Sequence, residues 1–138
     1  MKSFEELDCW KKAALLRRRI SALVKTFPSE EKYRLVDQMI RSSRSALAQI
    51  AEGFGRFYFQ ENIQFCRQAR GSIFELIDHL ITANEEKFIS DEKLAEIRSE
   101  IDNCLAVLNG YINYLMKAKI PSKVGKPTET YAQATDNY

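Results

Sequence analysis

The residues of this 138-residue chain with the most chemistry to offer are a single histidine, three cysteines and ten arginines. His79 and Glu75 are four apart, so a helix would bring imidazole and carboxylate to one side, where they could share a metal. Such a site needs a second pair, from this chain or a symmetric copy, and no metal site is expected from one. Cys9, Cys66 and Cys104 are odd in number and widely spaced, which indicates neither a disulfide framework nor a zinc cluster. They fall on apolar stripes, where an inert buried thiol is the ordinary outcome. The run GFGRF follows a helical segment, the wrong context for a phosphate-cradling loop of the P-loop or dinucleotide type. A lone mid-helix histidine cannot anchor a Ser/His/acid triad. No catalytic residue and no cofactor are expected, and the chain reads as a non-enzyme.

The arginines carry more information. Net charge is only +2, yet residues 1–73 hold 14 Lys and Arg against 8 Asp and Glu, while residues 74–116 hold 3 against 9. Nine of the ten arginines lie between Arg17 and Arg70. Either the two halves are antiparallel neighbours whose charges attract each other, or the arginine side docks an acidic partner or a phosphate backbone. Arg34, Arg41 and Arg44, at steps of seven and three, project from the polar side of one helical segment and could follow successive phosphates. Arg17 shares a flank of the first helix with Trp10, either as a stacking platform for a base or beside an indole that seals the core's edge. Arg17, Arg18 and Arg19 point in three directions 100° apart and are not one patch. Arg70 falls within the arc of Ile63, Cys66, Ile73, Ile77 and Ile81, where an unpaired guanidinium would be strongly unfavourable. It must find a carboxylate, with Glu52 on the neighbouring helix as the candidate, or reach out at the stripe's edge, or face another chain or a ligand.

Four amphipathic segments must position these groups. The first, about 8–27, places Cys9, Ala13, Leu16, Ile20, Leu23, Val24 and Phe27 on one face and stops at Pro28. Ser29 reads as the N-cap of a second helix, about 31–52, with Leu35, Met39, Ala46 and Ile50 inward and Gly53 and Gly55 at its end. Ser42, Ser43, Ser45, Ala46 and Ala48 there are small on more than one face, which lets backbones approach within a chain or between subunits. The third, about 61–84, is expected to bury Ile63, Cys66, Ile73, Phe74, Ile77, Leu80 and Ile81. The fourth, about 91–116, is capped by Ser90 and repeats Leu94, Ile101, Leu108 and Leu115 every seven residues. Matched lengths and short connections make an all-α, up-down-up-down antiparallel four-helix bundle over residues 1–117. After Ile120 periodicity stops, so 118–138 reads as a flexible tail, with Tyr131 and Tyr138 as its candidates for partner docking.

Composition bounds the rest. One domain follows from the length, and 45% hydrophobic with 29% charged residues is too apolar for a disordered chain. No apolar run approaches the ~20 residues that span a bilayer, and the amino end carries acids where a signal peptide would be apolar. A cytoplasmic protein without membrane association is expected.

The segments FEELDCWKKA, TFPSEEKYRL, QMIRSSRSALAQIAEGFGR and FCRQARGSIFELIDHL, in this order, resemble the four-helix-bundle proteins encoded in intervening sequences of bacterial 23S ribosomal RNA genes. The resemblance runs from about Phe4 to Leu115. Trp10, Pro28, Gln38, Arg41, Ser45, Glu52, Gly53, Arg56, Arg70, Gly71, Ser72 and Glu75 carry it, while Gln49 stands where the family pattern has Asn. It implies a left-handed bundle that assembles into a homopentameric ring, and no catalytic residue. A related group, the accessory variability determinants of diversity-generating retroelements, works with a reverse transcriptase and its RNA.

Together these readings give a non-enzymatic oligomer that contacts structured RNA, or a reverse transcriptase–RNA complex, through Arg17, Arg34, Arg41, Arg44 and Arg56. Trp10, Ser45, Glu52, Gly53, Arg70, Gly71 and Glu75 are expected in structural or interface roles. The alternative is a protein-interaction scaffold whose arginines serve subunit contacts, with no direct nucleic-acid role.

Overall fold

A computed structural model describes residues 2–118. Four helices form, α1 (Asp8–Leu23), α2 (Leu35–Phe54), α3 (Phe59–Glu85) and α4 (Asp91–Ala118), and among the described residues there is no strand. Each packs on its neighbours in sequence, with α2 against α3 the most extensive pairing, and α1 closes on α4. This is the all-α four-helix bundle that the periodicity requires. The tail expected from 118 onward lies, apart from Ala118 at the end of α4, outside the described residues.

The core is built from the four inward stripes. Cys9, Ala13, Leu16 and Ile20 of α1 meet Met39, Ala46 and Ile50 of α2, then Cys66, Ile73, Leu76 and Leu80 of α3 and Ile97, Ile101, Cys104, Leu108 and Leu115 of α4, all buried. Among buried residues of this size, each large aliphatic side chain contributes about 1.5–3 kcal/mol by leaving water.

Three expectations about the elements need correction. Ser29 does not cap α2. Ser29–Glu31 makes a single 3-10 turn, and the α-helix starts four residues later, after Arg34 leaves helical geometry with φ −119° and ψ −107°. Residues 29–34 offer almost nothing to bury, so no packing holds them in an α-helix. Second, Phe74 is 56% exposed and Ile81 also reaches the surface, whereas Leu76 is fully buried. The core stripe of α3 is Ala69, Ile73, Leu76, Leu80 and Ala83, rotated toward α2. Third, Gly55 caps the end of α2 as expected, but Gly53 is still helical. It lies within α2, and a β-carbon there would stand 2.7 Å from Asn62 Oδ1 and 2.9 Å from Phe65 Cβ. Its smallness lets α2 and α3 come together there.

The connections obey local chemistry. The Ser90 hydroxyl accepts the Lys93 amide at 3.1 Å, capping α4 as expected. Asn84 Nδ2 donates to the Ile89 carbonyl and to Asp91 Oδ1, tying the end of α3 to the start of α4. Lys87 takes φ 65° there, and the Phe88 amide reaches back to the Ala83 carbonyl at 2.8 Å in a Schellman-type closure. Phe88 then packs on Phe27 with ring centroids 5.5 Å apart, locking this turn to the end of the first segment.

Candidate nucleic-acid interface

The outward side of α2 carries the arginines singled out in the sequence. Arg41 and Arg44 sit one turn apart, both exposed. Arg34 precedes the helix and Arg56 follows it, so these arginines mark its two ends. Arg17 lies half-buried on α1.

Their electrostatics separate them. Arg34 pairs with Glu31 and Arg41 with Asp37, each at 3.9 Å, and Arg56 with Glu52 at 3.0 Å. In each the guanidinium is exposed and its partner is three or four residues away, an arrangement that holds it only weakly. Arg17, Arg18, Arg44 and Arg67 have no ion pair among the described residues. The attraction between the basic and acidic halves is carried by Arg19, whose Nη2 lies 2.7 Å from Glu96 and 3.5 Å from Glu100 across the α1–α4 seam. Its contact with Glu96 raises the Arg19 pKa further, and the same contact, with Lys93, holds Glu96 below the ordinary carboxylate value. Sequence reasoning singled out Arg17 among the three adjacent arginines and assigned Arg19 no partner. What distinguishes Arg19 is its position level with two glutamates a turn apart on α4.

Arg70 is corrected. It does not pair with Glu52, which belongs to Arg56. Its Nη1 donates to Asn109 Oδ1 at 2.8 Å, joining α3 to α4. At half-burial a neutral amide suffices, because the rest of the guanidinium stays hydrated. Trp10 is half-buried against the core and packs on Phe4, ring centroids 5.4 Å apart, as an indole sealing the edge does. The arginine over an aromatic ring is Arg56 instead, 4.8 Å from the centroid of Phe65. Next to it, Phe57 and Tyr58 meet edge to face at 4.8 Å, both about half exposed.

The remaining motif residues stitch α2 to α3. The Ser72 hydroxyl donates to Gln49 Oε1 at 3.0 Å and lies 3.3 Å from Ser45 Oγ. The longer amide at position 49 is what bridges the gap. Glu75 meets His79 at 3.1 Å, an exposed carboxylate against a mostly covered ring. Among the described residues no group of three or more His, Cys, Asp or Glu is placed to hold a metal. Gly71 stands exposed with nothing near it.

Sequence reasoning missed a buried polar link. Asn62 Nδ2 donates to the Tyr111 hydroxyl at 3.0 Å, and the Cys66 thiol reaches Asn62 Oδ1 at 3.5 Å. Asn62 sits one turn before Cys66 on the inward face, a polar residue in an apolar stripe that could have flagged it. The thiols themselves are protected: burial pushes Cys66 up to about 12 and Cys104 to about 11, and raises Cys9 well above 9.0 with help from both neighbours.

Fold and surface together define a four-helix bundle with an arginine-bearing flank. The sequence profile of the 23S rRNA-intervening sequence proteins matches residues 5–110, and the chain belongs to that family. A search of curated proteins finds no match. No helix among the described residues is long and apolar enough to cross a membrane.

Proposed function

We propose that this chain is a non-enzymatic, self-associating nucleic-acid-binding protein of the cytoplasm that contacts structured RNA through the arginines of α1 and α2. The observation that carries this reading is the division of labour among the arginines. Arg19 and Arg70 are engaged across helix seams, whereas among the described residues Arg17 and Arg44 have no ion pair and Arg34, Arg41 and Arg56 pair with residues three or four positions away. Charge left unused by the fold is charge available to phosphate. The family's association with an RNA gene supports the same direction. Self-association would repeat these arginines and raise avidity beyond what one protomer of net charge +2 provides.

Fluorescence anisotropy of the full chain on a structured RNA over a salt series tests this. Log affinity should fall with log salt with a slope of several units, at about −0.7 to −0.9 per phosphate neutralised. Arg41→Glu and Arg44→Glu should each weaken binding with helicity unchanged. A flat salt response sinks the reading. The scaffold alternative is favoured by the exposed Phe74, Tyr33 and Met116, apolar surface that RNA phosphates do not need. In that case the same substitutions change the oligomer and leave no measurable RNA affinity.

A further inference from the structure

The connection between α2 and α3 uses its aromatic residues unequally. In GFGRFYF, residues 53–59, Phe54 packs against the core and Phe59 is buried, so both ends of the loop are pinned. Phe57 and Tyr58, between them, stay about half exposed and meet each other edge to face, ring centroids 4.8 Å apart. A single exposed ring on a protein surface is ordinary, whereas two adjacent rings held out at a loop tip call for an occupant. The Gly55 amide donates to the Ala51 carbonyl at 3.1 Å and the Arg56 amide to the Gly53 carbonyl at 3.0 Å, which fixes the backbone that presents them.

Arg56 completes the tip. Its guanidinium lies 4.8 Å from the centroid of Phe65, and its Nη2 donates to Glu52 Oε2 at 3.0 Å. Ring and carboxylate together restrict the side chain, which still remains about half exposed. Three consecutive residues thus offer three flat surfaces, a guanidinium and two aromatic rings. Positive charge is not what the tip offers: Glu52 offsets Arg56, and Glu61 stands in the first turn of α3. Stacking needs no net charge, and every nucleobase has a π face that aromatic rings and guanidinium planes can cover. Bases inside a duplex already stack on one another, so only unpaired ones can reach such a surface.

We infer that the Arg56–Tyr58 tip is a stacking platform for unpaired bases, so that the RNA this protein takes is one with an exposed loop, bulge or single-stranded end. The inference rests on the RNA-binding function proposed above and names its substrate class: arginines elsewhere on α1 and α2 contact phosphate, and the tip engages the bases that pairing leaves free. Because the loop is pinned at Phe54 and Phe59, little freedom is lost when a base is seated.

Fluorescence of 2-aminopurine in complexes of the full chain with RNA provides the test. The probe is a short hairpin carrying the fluorophore in its loop or, in a second preparation, in its stem, and a blunt duplex of the same stem is the comparison. Binding should quench the loop fluorophore and leave the stem fluorophore unchanged, and the hairpin should bind about fivefold or more tightly than the duplex, the lower end for one stacked base. Phe57→Leu combined with Tyr58→Leu keeps apolar volume and removes both π faces. That chain should retain native circular dichroism, lose the quench and bind the hairpin no better than the duplex. Arg56→Lys, which keeps the charge and loses the planar group, should reduce the quench. A wild-type chain that binds hairpin and duplex equally, or a quench that persists in the double leucine chain, overturns the platform while RNA binding stands. Absence of binding to either RNA removes the RNA-binding function itself.

Discussion

Gly53 of α2 lies tight against Asn62 of α3: a β-carbon on the first would stand 2.7 Å from Oδ1 of the second. Phe65 Cβ, at 2.9 Å, blocks the other direction. Neither neighbour is a flexible chain end, since Asn62 is fixed by Tyr111. Gly53→Ala should therefore destabilise by about 1–3 kcal/mol, the range for overpacking. Gly71→Ala should stabilise by about 0.5–1 kcal/mol, because only helix propensity changes. Urea unfolding of both should give shifts of opposite sign.

The bond between Arg70 and Asn109 should appear as coupling. A double-mutant cycle with Arg70→Met and Asn109→Ala should return about 1 kcal/mol, the scale of a partly exposed charge-assisted hydrogen bond. A cycle between Arg70 and Glu52 should be additive within about 0.5 kcal/mol. Coupling in the second cycle and none in the first would reverse the assignment.

Tyr111→Phe removes the acceptor of the Asn62 amide in a buried site. A buried donor left unmatched costs about 1–3 kcal/mol, so the urea midpoint should fall although the apolar volume is kept. The triple change of Tyr111→Phe with Asn62→Leu and Cys66→Ala should recover part of that loss.

The cysteines set an alkaline limit. Their folded pKa values lie above 9.0, with Cys66 at about 12 and Cys104 at about 11, because burial disfavours the thiolate. The unfolded chain releases these protons first, so stability is fully present below about pH 9 and is lost as pH rises through 11 and 12. Urea midpoints should be flat from about pH 7 to 8 and fall above 9, and Cys66→Ala should make that fall shallower. Native protein at about pH 8 should resist iodoacetamide, and denatured protein should take up three equivalents.

Much of this was legible in the chain. The four segments, the Ser90 cap and the end of the first helix before Pro28 follow from local rules, since each depends on residues within one or two turns. Phe74 was expected inside and lies outside because a wheel does not say where a helix's neighbours stand: the buried face of α3 carries Leu76 instead. Glu52 was the expected partner of Arg70 on grounds of charge, yet it is claimed by Arg56 four residues on.

What the sequence determined by itself is the all-α bundle, the family and an arginine-rich first half, because periodicity, caps and composition are properties of the chain read in order. The tertiary structure alone decided which arginines remain available. Engagement of Arg19 with Glu96, 77 positions away, and of Arg70 with Asn109 depends on which faces of antiparallel helices lie level. That register is fixed by packing around residues such as Gly53, whose effect acts through space and leaves no periodic trace in the chain.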